Sequence, residues 1–293
     1  GPAAFLMGVA FPVATRLYAS GFREVGQRVG LLYGANVLGA LVGSLGGGLV
    51  LIPWLGAQRA LWALALGNAA LGLVLLAVSP PRRRQRLMLA GGIGGTLALG
   101  SLVVPDVYHQ LFTTDPQTTE TVWFHEGPDA NVRVARDREG NLVLFTNSAG
   151  QNNDSYAEAV FHYQLGLLGP LLHPQPREVL VVGLGIGQTA GAASVHPGVH
   201  VTAIELLRGV IEALPLFDHV NFSLNRKPNV SIVEADGRNY LLLAGQRFDV
   251  IESDPIWPTH AGAANLYSVD YYRLVRAALK DDGIAVQWVD ASL

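Results

Sequence analysis

The sequence predicts a helical transmembrane segment followed by an α/β part, in which a small β-hairpin domain precedes a doubly wound parallel sheet. Three observations predict this. The first hundred residues contain long stretches without charge, β-rich runs with turn residues follow, and short apolar strands then alternate with helical patterns. We therefore expect transmembrane helices over 1–105, the hairpin domain over 118–154 and the α/β domain over 155–293.

The composition narrows the possible functions. Half of the 293 residues are hydrophobic and only 15% are charged, which is an apolar balance for a soluble protein. The net charge of −3 combines about +7 over residues 1–105 with −10 over the remainder. The acidic second half makes nucleic acid a poor partner. There is no cysteine, so disulfides and Cys-based metal sites are excluded, and the scattered histidines predict no metal site.

The first hundred residues have the composition of membrane helices. Residues 29–58, 60–81 and 87–105 contain no Asp, Glu, Lys or Arg. About 20 apolar residues cross a hydrocarbon core of roughly 30 Å. Four spans are expected, at about 1–19, 30–52, 59–79 and 86–104. The alternative is a buried soluble bundle, but soluble helices need polar faces that these segments lack.

Arginines in the short loops predict the orientation of these helices. Arg23 and Arg28 border the first loop, and the run "RRRQR" over 82–86 fills the third, so both loops should be cytoplasmic. A fourth crossing then places the second half outside the cytoplasm, unless that Gly-rich segment does not cross. The side that the second half faces stays open. Because the chain starts inside an apolar segment and stops after a fifth predicted strand, we expect a fragment of a longer protein.

The hairpin domain is predicted from "TVWFHEG", "NVRVARD" and "NLVLFTN", with a turn at Arg138-Glu139-Gly140. A helix over 155–172 follows. Strands are then expected at 178–183, 200–205, 230–236, 248–253 and 283–289, with helices at 188–195, 207–214, 238–244 and 268–280. Such sheets bind ligands at the carboxyl ends of their strands.

A glycine-rich turn follows the first of these strands. In "VLVVGLGIGQTAG", Gly183, Gly185 and Gly187 alternate with larger residues. Glycine lets the backbone approach a ligand closely and lets a helix start near the sheet. The spacing is G-x-G-x-G, whereas a dinucleotide fold has G-x-G-x-x-G. A tight turn without any ligand is the alternative.

Acidic residues end the next three strands. Glu205 is placed to accept both hydroxyl hydrogens of a ribose, although a surface Glu at a helix start is the alternative. Asp236, followed by Gly237, is placed near an adenine amino group and also suits an N-cap. Glu252 and Asp254 are expected at the mouth of a cleft, where carboxylates bind a cation or take a proton from an amine. No phosphate-binding G-K-[ST] is present, so an S-adenosyl sulfonium ligand fits better than ATP or NADP.

At this point the sequence resembles the spermidine synthase family, and within it the bacterial membrane-fused branch. The resemblance covers roughly 118–293 and lies in "LLHPQPREVLVVGLGIGQTAGAA", "VTAIE", "EADGRNYLL", "FDVIESDP" and "LYSVDYYRLVRAALKDDGIAVQW". It implies a methyltransferase-like, Rossmann-like fold that binds decarboxylated S-adenosylmethionine. It also implies an integral protein of the bacterial inner membrane, with a polyamine and the lipid bilayer as partners, and a possible homodimer.

The resemblance also suggests site residues. Glu205 would bind ribose, Asp236 would lie near adenine, and Asp254 matches the second acid of the family's D-x-x-D-P loop. Gln151 resembles a ligand-contacting Gln that follows the hairpins. His162 falls in the family's Tyr-His-Glu segment, so we expect substrate-binding residues at His162, Glu158 and Tyr267.

The chain departs from the family pattern on the polyamine side of the site. The Asp that the family carries among its glycines is Ile186 here, and that Asp lies near the aminopropyl amine. Ile251 stands where the first acid of the D-x-x-D-P loop belongs, with Glu252 one position off. The Tyr of the Tyr-His-Glu segment is Phe161, and its Glu is Tyr163.

The leading hypothesis is transfer of an aminopropyl group from decarboxylated S-adenosylmethionine to putrescine or a similar amine. The catalytic carboxylates, which would accept the proton of the amine, are Asp254 and Glu252. Two alternatives stay open. One is a methyltransferase that uses S-adenosylmethionine itself. The other is a membrane protein that binds a polyamine or nucleoside without catalysis.

Overall fold

The computed structural model describes residues 2–18, 25–78, 83–103, 107–255 and 263–289. Contacts divide the chain into two compact units, Gly1–Arg82 and Arg83–Leu293. The sequence-based boundary was expected later, near residue 105. The helix Arg83–Val103 instead belongs to the second unit.

The first unit consists of helices. Its elements are α1 Pro2–Tyr18, α2 Val25–Gly46, a π-helical turn Gly47–Leu51, α3 Ile52–Leu55 and α4 Ala57–Val78. Within the described residues, two helical stretches, Val25–Leu55 and Ala57–Val78, are long and apolar enough to cross a membrane, by length and composition only. Gly56, with φ of 76°, separates them and ends α3. The helical character of the first three predicted spans is therefore confirmed.

The second unit starts with α5 Arg83–Val103 and α6 Val107–Thr113. The region of the fourth predicted span is thus helical too. Its apolar stretch, Leu87–Ala98, is shorter than the two in the first unit.

A four-stranded antiparallel sheet follows, with strands in sequential order. Its strands are β1 Thr118–Glu126, β2 Asn131–Asp137, β3 Leu142–Thr146 and β4 Ala149–Asn153. The predicted turn between β2 and β3 is present. Asp137 Oδ1 accepts hydrogen bonds from the backbone N–H groups of Glu139 and Asn141, and Gly140 takes the left-handed φ of 94°. β4 escaped prediction because "AGQNN" has none of the β-branched or aromatic residues that favour strands.

Helix α7 Tyr156–Leu172 connects the two sheets. Ser155 caps it by accepting from the Glu158 N–H at 3.5 Å. The helix packs closely because two of its residues lack side chains. A Cβ on Gly166 would lie 2.1 Å from the Thr189 carbonyl oxygen, and one on Gly169 would lie 2.3 Å from Val250 Cγ1.

The α/β domain alternates strand and helix as predicted. The strands are β5 Glu178–Val182, β6 His200–Glu205, β7 Val230–Glu234, β8 Phe248–Ser253 and β9 Leu279–Gln287, and the helices are α8 Gln188–Ala193, α9 Arg208–Ala213, α10 Gly237–Leu243 and α11 Val269–Ala278. The strand order is β7-β6-β5-β8-β9, and all four pairings are parallel. β9 begins four residues before the predicted strand, and its pairing with β8 shifts register after Leu279.

Both faces of this sheet are buried, as the apolar strands predict. Val179, Val181 and Val250 face α8, whereas Leu180 and Ile251 pack with Tyr271 of α11 on the opposite face. The chain runs from β5 outward through β6 and β7 and then returns to β8 on the other side of β5. This reversal creates a crevice at the carboxyl ends of β5 and β8, which is where doubly wound sheets bind their ligands.

Candidate active site

The turn after β5 has a backbone that only glycine accommodates without strain. Gly183, Gly185 and Gly187 adopt φ values of 92°, 51° and 87°. A Cβ on Gly183 would lie 2.4 Å from the Asp254 carbonyl oxygen. Gly187 N–H donates to the Leu184 carbonyl at 2.8 Å, which closes the turn before α8. The glycines are therefore needed for the shape of the turn and for its close contact with the segment after β8.

Glu205 links the end of β6 to this turn. Its Oε2 accepts from the Leu184 N–H at 3.2 Å, and its Oε1 accepts from the Leu207 N–H at 2.9 Å. Burial raises the pKa of Glu205, while these backbone hydrogen bonds oppose the rise. Backbone N–H groups of the glycine turn, at Leu184 and Gly185, and of the segment after β6, at Leu206 and Leu207, therefore surround this carboxylate.

Asp236 lies just beyond β7 and caps α10. Its Oδ1 accepts from the Asn239 N–H at 2.7 Å, and the residue is exposed. The N-cap interpretation is thus confirmed, and it leaves the second carboxylate oxygen available. Gly237 is required for packing, because a Cβ there would lie 2.4 Å from Val182 Cγ1.

Three side chains meet at the end of β8, across the crevice from Glu205. Asp254 Oδ2 accepts a hydrogen bond from Thr189 Oγ1 at 2.6 Å and lies 3.0 Å from His162 Nδ1. Its Oδ1 makes no hydrogen bond within the described residues. The Asp254 side chain is only 9% exposed. The network therefore fixes one oxygen of Asp254 and leaves the other as an acceptor.

His162 sits between two carboxylates. Its Nε2 lies 3.5 Å from Glu158 Oε2, one helical turn away on α7, and its Nδ1 faces Asp254. Burial alone would lower the pKa of His162, but hydrogen bonds to Asp254 and Glu158, together with their charges, raise it to about 9. His162 is consequently an imidazolium at neutral pH. These three predicted residues come together, although Asp254 follows His162 by 92 positions in the sequence.

The expectation that Glu252 lies at the cleft mouth is wrong. Glu252 is 0% exposed, and neither carboxylate oxygen has a hydrogen-bond partner in the described residues. It shares a strand face with Asp254 but lies two residues deeper, under α7, where a Cβ on Gly169 would be 3.2 Å from its Oε1. Burial, and then the charge of Asp254, raise the pKa of Glu252 well above its ordinary value.

Three residues stand where the family carries an acid or a tyrosine, and they are packed in the protein interior or lie on its surface. Ile186 is 1% exposed and packs with Val134 of the hairpin sheet and Phe217. Ile251 is on the opposite sheet face from Glu252. Phe161 is 43% exposed and contacts the His162 ring edge-on, with centroids 5.2 Å apart. None of the three supplies a polar group.

The remaining predicted features are two half-buried residues and a segment outside the described ranges. Gln151, on β4, donates through Nε2 to Thr146 Oγ1 at 2.7 Å and is half-buried. Tyr267 ends a 3-10 turn over Ala263–Tyr267 and is half-buried. Residues 256–262, which precede this turn, lie outside the described residues.

Sequence reasoning missed Thr189, Asn152 and Gln188 as site residues. Thr189 is the only hydroxyl in the small-residue run "TAGAA", which is the signal that was available. Asn152 offered no signal, because only folding brings β4 against the glycine turn.

A second cluster of ionisable groups lies at the opposite end of the sheet. Ligand atoms of His173, Asp249 and Asp282 lie within 4.8 Å of one another. However, Lys280 Nζ already contacts both Asp249 oxygens, at 2.8 and 2.9 Å. The Gln175 N–H donates to His173 Nδ1, so Nε2 of the neutral ring carries the proton. The cluster is an ion-pair network, not a metal-binding arrangement.

Comparison with known proteins agrees with this geometry. The family described as "Spermine/spermidine synthase domain" matches residues 154–290, which include the glycine turn, Glu205 and Asp254. The resemblance inferred from the motifs is thus confirmed.

Several curated relatives align with the chain. A protein named polyamine aminopropyltransferase from Corynebacterium efficiens is 30% identical over 95% of this chain and 55% of its own length. Polyamine aminopropyltransferase 1 of Streptomyces coelicolor is 27% identical over 95% and 54%. Spermidine synthase of Dictyostelium discoideum is 37% identical over 44% of each chain. The chain spans about half the length of these relatives.

Solved structures support the fold of the α/β domain. Spermidine synthase from Thermotoga maritima is 25% identical over 57% of this chain and 56% of its own, with a TM-score of 0.51. A spermidine synthase in complex with the transition state analogue AdoDATO is 24% identical over 57% of each chain, with a TM-score of 0.53. The methyltransferase-like fold is therefore confirmed.

Proposed function

We propose that the α/β domain transfers an aminopropyl group from decarboxylated S-adenosylmethionine to putrescine or a similar amine. The observation that carries this proposal is the position of Asp254. It lies beside the glycine turn, held by Thr189 and His162, across the crevice from Glu205. The site thus combines groups suited to a nucleoside with an acceptor suited to an amine. The names of the relatives support the same reaction class.

The reaction needs few protein groups. The lone pair of a neutral amine attacks the methylene carbon next to the sulfonium. As the C–N bond forms, the C–S bond breaks and its electrons neutralise the sulfur, which leaves methylthioadenosine. The attacking nitrogen loses one proton. Asp254 Oδ1 accepts that N–H and takes the proton, since its other oxygen is already occupied.

His162 and Thr189 position this carboxylate. Two donors on Oδ2 restrict rotation of the Asp254 side chain, so Oδ1 keeps a fixed direction. The donor nucleoside is held by Glu205 and the glycine turn, with Asp236 at the adenine end. Holding the amine in line with the C–S bond then contributes much of the rate.

The direct test is to incubate the purified chain with decarboxylated S-adenosylmethionine and putrescine. Methylthioadenosine and spermidine should form in equal amounts. If the chain binds the nucleoside but forms no methylthioadenosine with any diamine, the transfer proposal is wrong.

A second candidate, a methyltransferase, is favoured by Ile186. Because this side chain is buried among apolar residues, the turn presents no acid that would repel the carboxylate of S-adenosylmethionine. Formation of S-adenosylhomocysteine from S-adenosylmethionine in the presence of polyamines would support this candidate, and its absence would count against it.

We further propose that the first unit anchors the chain in a bilayer, as expected for a bacterial inner-membrane protein. Many large apolar side chains on α2 and α4 are exposed, among them Leu38 at 63%, Val42 at 69% and Leu75 at 59%. Such a surface is stable in lipid but not in water. Retention in the membrane pellet after alkaline carbonate washing is expected, and a reporter fused after Asp106 will show which side the domain faces.

A further inference from the structure

Two buried amide oxygens beside the glycine turn have no hydrogen-bond partner within the described residues, namely Gln188 Oε1 and Asn152 Oδ1. Buried polar atoms are nearly always paired, so an unpaired acceptor in a crevice indicates a missing donor. Both atoms are acceptors, and they adjoin the same turn.

The orientation of the Gln188 side-chain amide is the better determined of the two. It is 1% exposed and is the first residue of α8, directly after Gly187. Its Nε2 donates to the Asn153 carbonyl oxygen at 3.3 Å. That bond fixes which end of the amide is the oxygen, because only the nitrogen can donate to a carbonyl.

Asn152 lies against the middle glycine. A Cβ on Gly185 would be 2.8 Å from its Nδ2 and 2.9 Å from its Oδ1. Asn152 and Asn153 are neighbours on β4, so this strand brings the two amides to the turn together. No acid is available here, because the Ile186 side chain packs into the apolar core.

We propose that Gln188 Oε1 and Asn152 Oδ1 bind the primary ammonium group of the S-adenosyl ligand. This rests on the proposed nucleoside site. An ammonium has three N–H donors and no acceptor, which matches two unpaired carbonyl oxygens. Because both amides are neutral, they do not repel a carboxylate next to the amine. The site therefore accepts S-adenosylmethionine as well as its decarboxylated form.

The test is calorimetry on the full chain with three nucleosides: decarboxylated S-adenosylmethionine, S-adenosylmethionine and methylthioadenosine, which has no amine. Gln188→Leu should weaken binding of the first two nucleosides by about ten- to hundredfold, because a hydrogen bond to their charged ammonium is lost. Binding of the third should not change. Asn152→Ala should act in the same direction. Thr121→Val is the control, because it removes another unpaired buried oxygen, on β1, away from the turn.

Gln188→Glu provides a second variant that keeps the size of the side chain. The added charge should strengthen binding of the decarboxylated ligand and weaken that of S-adenosylmethionine. Equal effects of Gln188→Leu on all three nucleosides, or no effect on any, would overturn the proposal. So would failure of the unaltered chain to bind any of them.

Turnover separates this proposal from the proposed reaction. If the chain forms methylthioadenosine while the variants show no selective loss, only the ammonium site is wrong. If the variants discriminate amine-bearing ligands but no transfer occurs, only the reaction is wrong.

Discussion

The two sides of the crevice are built in different ways. On the nucleoside side, backbone conformation determines the site, through three left-handed glycines and backbone donors held by Glu205. On the amine side, side chains from α7, α8 and the end of β8 form a charged network around Asp254. The backbone site depends on a local motif. The network depends on every partner, because removing Asp254, His162 or Thr189 leaves another side chain without its hydrogen bond.

The largest expected effect comes from removing the acceptor of the network. Asp254→Asn should lower the rate of aminopropyl transfer by about 10²–10⁴-fold, because the amide cannot take the amine's proton. Nucleoside affinity should change little. Methylthioadenosine formation is the measurement, and Asp270→Asn, an exposed Asp on α11, is the matched control. Loss of less than tenfold would remove Asp254 from the reaction.

Stability should depend on pH through His162. Its folded pKa of about 9 lies above the ordinary 6.5, so the imidazolium stabilises the fold fully below about pH 6.5. That contribution is lost as pH rises toward 9, and it amounts to roughly 3 kcal/mol.

Thermal unfolding followed by tryptophan fluorescence between pH 6 and 10 will measure this loss. In His162→Gln the unfolding temperature should fall less between pH 6 and 10. His196→Gln should not have this effect, because the His196 ring contacts the neighbouring Pro197 carbonyl. An unchanged decline in His162→Gln would contradict the assignment.

Glu205→Gln tests the nucleoside side. The amide nitrogen must face either the Leu184 or the Leu207 N–H, so two donors oppose each other and a ribose acceptor is lost. Affinity for methylthioadenosine should fall about ten- to hundredfold, with less effect on the amine. Glu234→Gln, at the same register on neighbouring β7, is the control. Equal affinities for methylthioadenosine in the two variants would exclude a ribose role for Glu205.

The smallest effect is expected at Glu252. Because burial raises its pKa, ionising Glu252 destabilises the fold, and stability falls as pH rises above about 4.5. Glu252→Gln should therefore change the rate of aminopropyl transfer by less than about threefold. The stability of this variant should fall less at alkaline pH than that of the unaltered chain. Turnover at neutral pH and unfolding midpoints at pH 5 and 8 will show this. A hundredfold loss of turnover with intact nucleoside binding would make Glu252 part of the reaction.

The same contrast explains what the sequence could predict. Alternating strands and helices, and acids at strand ends, placed Glu205, Asp236 and Asp254 at one sheet edge, because those positions follow from chain order. The sequence also predicted Glu252 beside Asp254 at the mouth of the cleft. It did not show that α7 covers position 252, since that depends on Gly169 packing against Val250. The approach of Asn152 to Gly185 likewise arises from tertiary contact alone.

The missing Cβ of Gly183 has a mechanical consequence. It allows the Asp254 carbonyl to rest against the turn, while the Asp254 N–H donates to the Val182 carbonyl at 2.8 Å. The glycine turn and the backbone of Asp254 are thus held together through adjacent peptide groups. A nucleoside that restricts motion of the turn therefore also restricts the orientation of Asp254. This favours an ordered mechanism in which the aminopropyl donor binds first and the amine binds next to a carboxylate that is already oriented.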